Sequence, residues 1–241
     1  MAMLEVRGLR KEFGGLLAVK DLDLCLDEGE ILGLIGPNGA GKTTVFNLIS
    51  GFLRPNAGEI GFKGDSLLSL ESHQICLKGI TRTFQIAQPF QDLTVLENVL
   101  VGAFSQEKKF RLAREKAVKV LQFVGLSEFQ DQEAGRIPIA SQKRLELAKA
   151  LATKPQLLLL DEVMAGLTLT EISEVLSIIK KIRESGITLL IIEHVMHAIM
   201  SVSDRIIVLH HGEKIAEGSP QRVAKDKKVM DAYLGEDFML E

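Results

Sequence analysis

The chain has 241 residues, with 29 Lys and Arg against 32 Asp and Glu and a formal net charge of −3. Its 46% hydrophobic and 25% charged residues exclude a disordered chain, and the near-neutral charge argues against a chain whose main task is to coat nucleic acid. Two cysteines exclude a disulfide framework and indicate a reducing compartment, and Cys25, between Leu24 and Leu26, is most simply a packing residue. The longest apolar runs, 157–160 and 187–192, are far shorter than the ~20 residues that cross a bilayer, and the start MAMLEVRGLRKEF has no signal-peptide pattern. We expect a soluble cytoplasmic protein that reaches a membrane only through a partner.

Short apolar runs typical of strands alternate with segments of helical periodicity, a pattern that predicts parallel strands covered by helices. The predicted strands are 3–7, 18–26, 31–35, 58–62, 80–84, 156–160, 187–192, 204–209 and 213–217. The predicted helices are 41–51, 94–103, 108–124, 141–153, 170–184, 195–201, 220–224 and 227–234. The runs 156–160 and 188–192 lack polar alternation, as strands buried on both faces do. The sequence therefore predicts an α/β fold with a mostly parallel sheet.

Turn residues near both ends of the chain indicate antiparallel pairing. Asn56-Ala57-Gly58 and Lys63-Gly64-Asp65 bracket a short strand, and His210-His211-Gly212-Glu213 separates two apolar runs as a hairpin turn would. Between about 85 and 153 the strand signal vanishes and helical periodicity replaces it. We expect a single domain with an N-terminal antiparallel β subdomain and an inserted all-α subdomain. Its predicted parts are a core of about 1–84 and 154–210, a helical subdomain of about 85–153, and a C-terminal hairpin and helices of 211–241.

A glycine-rich loop follows the predicted strand 31–35 and precedes a segment able to form a helix. It reads Gly36-Pro37-Asn38-Gly39-Ala40-Gly41-Lys42-Thr43, which is G-x-x-x-x-G-K-[ST] in the strand–loop–helix setting that this motif requires. Its glycines let consecutive N–H groups turn toward phosphate oxygens, and the helix N-terminus adds partial positive charge. Lys42 can reach the β- and γ-phosphates, the Thr43 hydroxyl can bind Mg²⁺, and Thr44 can support a phosphate. The pattern predicts a nucleotide site; the alternative is a glycine-rich turn with no ligand.

Two adjacent carboxylates end the apolar run 157–160. Successive strand residues point in opposite directions, so Asp161 and Glu162 can have different roles at the end of the strand. Hydrolysis needs a metal anchor and a group that activates water in addition to phosphate binding. We expect Asp161 to anchor Mg²⁺ through water and Glu162 to act as general base or water-orienting group. The alternative is that both acids only form a turn.

With these motifs in this order, the chain resembles the ATP-binding subunit of an ATP-binding-cassette (ABC) transporter over essentially its whole length. The resemblance implies a P-loop NTPase (RecA-like) core, ATP and Mg²⁺ as ligands, and transport-coupled ATP hydrolysis. It also implies that Phe13 in LRKEFGG stacks on adenine, that Gln85 in ITRTFQ senses Mg²⁺ and the γ-phosphate, and that His194 in LLIIEHVM is the switch histidine. Residues 165–168 fall where the family has its inter-subunit loop. Taken alone, Phe13 could be core, Gln85 an ordinary strand-end residue and His194 a structural hydrogen bonder.

The chain departs from this resemblance where the family carries the signature Leu-Ser-Gly-Gly-Gln. The stretch reads Ile137-Pro138-Ile139-Ala140-Ser141, and Pro138 lacks both the serine hydroxyl and a backbone N–H. In the family that serine bonds the γ-phosphate held by the opposite subunit, and losing such a bond costs about 1.5–3 kcal/mol. One hypothesis is therefore that the loop 36–43, Glu162 and His194 form a working half-site that another chain's intact signature completes. The alternative is that backbone amides of Ile139 and Ala140 still cap the phosphate, so that both half-sites work. Val163, where the family usually has proline, removes a turn constraint but no chemical group.

Stretches 79–103, 191–220 and 231–236 are similar to the ATPases of branched-chain amino-acid importers. This resemblance implies integral membrane permease subunits as partners, a second ATP-binding subunit that is identical or different, an extracytoplasmic solute-binding protein reached indirectly, and no nucleic acid. It places the chain peripherally on the inner face of the cell membrane, with Phe90 and Glu97 in the stretch where permease loops dock. The alternatives are an ATPase for urea or amide import, one for lipopolysaccharide export, a regulatory protein that binds ATP without turnover, and a non-transport ABC ATPase such as a translation factor.

Overall fold

The computed structural model describes residues 2–234, which form two compact units. The first comprises the residues up to Ile75 and those from Thr188 onward, and the second is Cys76–Ile187. The strands are β1 (Ala2–Phe13), β2 (Leu16–Asp27), β3 (Ile31–Ile35), β4 (Ala57–Phe62), β5 (Asp65–Ser66), β6 (Ile80–Arg82), β7 (Leu157–Asp161), β8 (Thr188–Ile192), β9 (Arg205–His210) and β10 (Glu213–Gly218). The α-helices are α1 (Lys42–Ile49), α2 (Ser72–Lys78), α3 (Val95–Ala103), α4 (Phe110–Phe123), α5 (Ile139–Ala152), α6 (Leu169–Glu184), α7 (Met196–Val202), α8 (Pro220–Val223) and α9 (Lys227–Leu234). Within residues 2–234 none of these helices is long and apolar enough to cross a bilayer.

The predicted antiparallel β subdomain is present in the first unit. Its strands lie in the order β2-β1-β4-β5 and every neighbouring pair is antiparallel. β1 is longer than the predicted strand 3–7, because its polar second half pairs with β2 as far as Phe13 opposite Leu16. The extension depends on pairing with β2. Residues 8–13 have no apolar alternation from which it could be predicted.

The alternation of β2 corrects one expectation. Cys25 lies between two apolar residues and was expected to pack in the core, but Leu24 and Leu26 are buried while Cys25 faces outward and is exposed. Neighbouring strand residues point to opposite faces, so the two leucines and the cysteine cannot share the core face. Partial burial raises the pKa of the Cys25 thiol, and the nearby Asp27 and Glu5 carboxylates add to the shift.

The parallel part of the first unit carries the strand that leads into the glycine-rich loop. β3 lies between β8 and β9 and is parallel to both, and β10 pairs antiparallel with β9. All five residues of β3 and of β8 are buried. Leu34 is opposite Ile192, so the carboxyl ends of β3 and β8 reach the same edge. The antiparallel pairing of β9 with β10 confirms the predicted hairpin. Residues 235–241, which include the end of the stretch 231–236, lie outside the described residues.

The second unit holds a parallel strand pair and the helices α3, α4, α5 and α6. β6 pairs with β7 and stops at Arg82, two residues before the predicted end of that strand. The helical periodicity predicted after residue 85 is confirmed by α3, α4 and α5. α3 approaches α5 closely, since a Cβ on Gly102 would lie 2.4 Å from the Lys149 carbonyl oxygen. α5 begins at Ile139, two residues before its predicted start, and α2 had no clear pattern in the sequence.

Candidate nucleotide-binding site

The loop between β3 and α1 needs glycine at two positions because other backbone lies against it. A Cβ on Gly36 would lie 2.1 Å from the Leu209 carbonyl oxygen, and one on Gly41 would lie 2.4 Å from that of Ala18. Both distances are shorter than the contacts that Cβ atoms make in real proteins. Gly41 also has a φ of 102°, a conformation that favours glycine. The motif glycines therefore let the loop close against its neighbours, with Gly39, whose φ is 76°, exposed between them.

The turn between β9 and β10 supports the same loop from outside the motif. The Gly212 N–H donates to the Ala40 carbonyl oxygen at 3.1 Å, and the Gly212 carbonyl accepts from the Lys20 N–H at 2.8 Å. Gly212 has a φ of 81° and lies against Ala18, which in turn touches Gly41. The sequence predicted this turn as a hairpin but gave no sign of its contact with the loop, because the contact joins residues about 170 positions apart in the chain.

Lys42 lies inside the curve of the loop. Its side chain is 5% exposed, and Nζ donates to the carbonyl oxygens of Gly36 at 2.6 Å and Pro37 at 2.8 Å. Thr43 is exposed and Thr44 half-buried in the first turn of α1, where backbone N–H groups and the helix dipole favour an anion. A buried ammonium beside a helix N-terminus is electrostatically complementary to a polyanionic ligand, to which the backbone N–H groups of the first turn can also donate.

Phe13 and His194 belong to the same unit as the loop. Phe13 ends β1 and is 43% exposed, so it is not core, and the Lys11 ammonium lies 5.1 Å from its ring centroid. His194 is exposed and comes two residues after β8, at the edge where β3 enters the loop. Both positions are open to a ligand, as the expected adenine contact and switch histidine require.

The two acids close β7 in the second unit. Asp161 is 1% exposed, and Glu162 is 8% exposed with a φ of 50°. A positive φ is a strained conformation for a glutamate, and such strain collects at functional positions because the surrounding structure has to hold it. Nε2 of Gln85 donates to Oε2 of Glu162 at 2.5 Å. The structure therefore brings together two of the residues expected to act with the metal and the attacking water.

Sequence reasoning missed two residues that hold Asp161. Nη2 of Arg82 donates to Oδ2 of Asp161 at 2.7 Å, and Oγ1 of Thr83 accepts from the Asp161 N–H at 3.1 Å. Arg82 and Thr83 come three and two residues before the expected Gln85, so the single stretch 82–85 contacts both acids. Only the pairing of β6 with β7 reveals this, since the two strands are far apart in the chain.

The signature stretch forms the start of α5. Pro138 is the N-cap and offers no side-chain oxygen to the first turn, and Ile139 is 71% exposed. Ile139 and Ala140 lie in the first helical turn, whereas the comparison with Leu-Ser-Gly-Gly-Gln placed them before the helix. Nζ of Lys143 donates to the carbonyl oxygen of Ala165, which ties α5 to the loop after the acids.

The residues expected to lie near permease contacts have structural partners of their own. Glu97 forms a capping box with Thr94 at the start of α3, and the hydrogen bond from the Thr94 backbone holds the pKa of the Glu97 carboxyl below its usual range. Phe90 is 49% exposed, and its N–H and carbonyl are both bonded by the side chain of the buried Asn98. Phe90 therefore presents an apolar ring from a fixed backbone, while Glu97 is occupied in capping.

Two family descriptions match the chain. The one for ABC transporters matches residues 19–165, and the one for the branched-chain amino acid ATP-binding cassette transporter matches residues 213–239. The high-affinity branched-chain amino acid transport ATP-binding protein BraF of Pseudomonas aeruginosa is 41% identical, over 97% of this chain and 98% of that protein.

Solved structures agree with this result. A nucleotide-free ATP-binding cassette from an ABC transporter superposes with a TM-score of 0.90 at 32% identity, covering 98% of this chain and all of that one. A dimeric cassette in a post-hydrolysis state bound to ADP and Pi superposes with a TM-score of 0.82 at 25% identity, over 90% of this chain and 99% of that one. The predicted P-loop NTPase fold is confirmed, and the chain belongs to the ABC transporter family as one of its ATP-binding cassettes.

Proposed function

We propose that this chain binds Mg·ATP in the loop 36–43 and hydrolyses it with Asp161, Glu162 and Gln85 to energise a membrane importer. The single observation that carries the proposal is the buried Lys42 ammonium, which is held by the carbonyl oxygens of a loop whose glycines lie in contact with other backbone. An ammonium buried at the N-terminal end of a helix is electrostatically complementary to a triphosphate. Phe13 supports the proposal as an exposed ring that can stack on the base.

The donor groups fit a magnesium ion. Mg²⁺ prefers oxygen ligands and keeps several waters, and the Asp161 carboxylate and the Thr43 hydroxyl offer such oxygens. The ion would supply positive charge that offsets the charge developing on the phosphates. Glu162 would accept a proton from the attacking water, Gln85 would hold the Glu162 carboxylate by the bond at 2.5 Å, and His194 would hold the γ-phosphate end of the nucleotide. In this scheme Asp161 binds the metal ion and Glu162 accepts the proton of the attacking water.

We propose branched-chain or related amino acids as the imported solutes. The support is the 41% identity with a protein named for branched-chain amino acid transport and the match of residues 213–239 to the corresponding family description. Such a cassette would lie on the inner face of the membrane against integral permease subunits, with a solute-binding protein acting from the other side. Import of urea or other amides is the runner-up, since no residue of an ATPase touches the solute.

A second cassette is the proposed partner across the nucleotide. The dimeric relative bound to ADP and Pi supports a pair, and Pro138 in place of a serine supports a pair of unequal half-sites. With a proline at the N-cap of α5, this chain would complete the nucleotide site of its partner poorly. An intact signature in the partner would complete the nucleotide site of this chain better. The alternative remains that the N–H groups of Ile139 and Ala140 serve both sites equally.

The test is ATP hydrolysis by the assembled complex of this chain with its permeases and partner cassette. Glu162→Gln in this chain should lower solute-stimulated hydrolysis by at least a hundredfold, because it removes the proton acceptor and keeps the shape of the side chain. Glu128→Gln, an exposed acid near α4, is the matched control and should leave hydrolysis unchanged. Hydrolysis near the wild-type rate with Glu162→Gln would show that this chain's own half-site is not the productive one. Nucleotide binding with no turnover in any assembly would favour the regulatory alternative.

A further inference from the structure

A buried ion pair at the end of β7 joins Asp161 to Arg82, a residue to which the sequence analysis assigned no role. Arg82 and Asp161 form it at 2.7 Å, and their side chains are 6% and 1% exposed. A carboxylate this deep is costly to keep ionised unless a cation and hydrogen bonds compensate it. The guanidinium therefore contributes charge compensation as well as a contact.

Strand pairing and packing fix the position of the guanidinium. Arg82 is opposite Leu159 in the parallel register of β6 and β7, which places it two residues before Asp161. Its Cζ lies 5.0 Å from the ring centroid of Phe84, and a ring face orients the planar guanidinium by cation–π attraction. Thr83 accepts a hydrogen bond from the Asp161 N–H at the same time, so Asp161 is held through both its main chain and its side chain.

We propose that Arg82 is a positioning residue for Asp161, which aims this carboxylate and provides a counter-charge that a bound divalent ion also provides. The inference rests on the proposed function in one respect, namely that Asp161 anchors Mg²⁺. Two cations beside one carboxylate compensate the same negative charge, so each stabilises the chain less when the other is present. Removing Arg82 should therefore harm the metal-free protein more than the metal-loaded protein.

The test compares thermal unfolding of the full chain with ADP in EDTA and with ADP in Mg²⁺. Arg82→Gln should lower Tm in EDTA by about 6–20 °C, the shift expected for breaking a buried pair in a chain of this size. The rise in Tm that Mg²⁺ produces should then be larger for this variant than for the wild type, by about 3 °C or more. Thr83→Val is the matched control, because it removes the hydrogen bond from the Asp161 N–H but no charge. It should therefore lower Tm by the same amount in both buffers.

An equal Mg²⁺ gain in Arg82→Gln and the wild type would overturn the inference and leave the proposed function standing. A wild type that gains nothing from Mg²⁺ and ADP would instead refute the proposed metal site, and this inference with it. Recovery of folded Arg82→Gln only with Mg²⁺ and ADP is the predicted result in its extreme form. If that variant folds in neither buffer, Arg82→Lys decides: it keeps the charge, so its Mg²⁺ gain should equal that of the wild type, and a gain larger by 3 °C or more would contradict the inference.

Discussion

Replacing Gly212 with alanine should weaken nucleotide binding, although this glycine lies about 170 residues after the loop that it supports. Its φ of 81° strains any other residue, and a new Cβ would lie 2.9 Å from the Ala18 carbonyl oxygen. Left-handed strain costs about 1–2 kcal/mol, and crowding against backbone adds about 1–3 kcal/mol. The turn can relieve the contact by moving away from Ala18, which lengthens the bond from the Gly212 N–H to Ala40.

Gly186 provides the matched control. Its φ is 89°, close to that of Gly212, but a Cβ there meets nothing within 4 Å. Gly186→Ala therefore carries the strain without the crowding, and the difference between the two variants isolates the contact with Ala18. With crowding of about 1–3 kcal/mol and about 2–4 °C per kcal/mol, Gly212→Ala should unfold about 2–12 °C below Gly186→Ala.

The assay is thermal unfolding of both variants together with titration of Mg·ATP. Gly212→Ala should bind about five- to tenfold more weakly than the wild type, which corresponds to about 1–1.4 kcal/mol, while Gly186→Ala should bind as the wild type does. The reasoning is refuted if Gly212→Ala binds with wild-type affinity and unfolds at the same temperature as Gly186→Ala.

Three further predictions concern other parts of the chain. Lys42→Met should abolish measurable Mg·ATP binding by calorimetry while the fold persists in circular dichroism; binding within tenfold of the wild type would contradict the role of the ammonium. Asn98→Leu should lower the free energy of unfolding in urea by about 2–4 kcal/mol, because the buried Asn98 side chain bonds both the N–H and the carbonyl of Phe90 and leucine can bond neither; a loss below 0.5 kcal/mol would contradict this. The hydrogen bond from the Thr168 backbone lowers the pKa of Glu171, so this carboxylate stabilises the fold above its ordinary pKa and stops doing so as the pH falls through the lowered value. The Tm difference between the wild type and Glu171→Gln should therefore close as the pH falls below the ordinary glutamate pKa of 4.5, and a pH-independent difference would count against the capping contribution.

The loop 36–43 could be predicted from the sequence because its information is local. The strand before it, the glycines within it and the helix after it stand in one continuous stretch, and the structure has β3 and α1 there. The capping box of Thr94 and Glu97 was equally local, since T-x-x-E before an apolar run signals a helix start. The structure shows this capping role for Glu97, and its place in the stretch where permease loops dock stays a prediction.

The contacts around the acids could not be predicted in the same way. Arg82 and Thr83 act on Asp161 only because β6 lies beside β7, and no pattern in residues 80–84 names its partner strand. The support of Ala40 by Gly212 depends likewise on the hairpin that returns to the loop. The predicted division into a core and a helical subdomain of about 85–153, and the assignment of the site residues to ATP and Mg²⁺, stay predictions.

The most direct test of the central claim is a crystal structure of the Glu162→Gln chain grown with Mg·ATP. We expect a triphosphate enclosed by the backbone N–H groups of 36–43 with Lys42 on its phosphates, and a metal ion whose coordination shell includes Asp161 directly or through water. A loop that holds no phosphate at saturating nucleotide, or an ion bound away from Asp161, would contradict that claim.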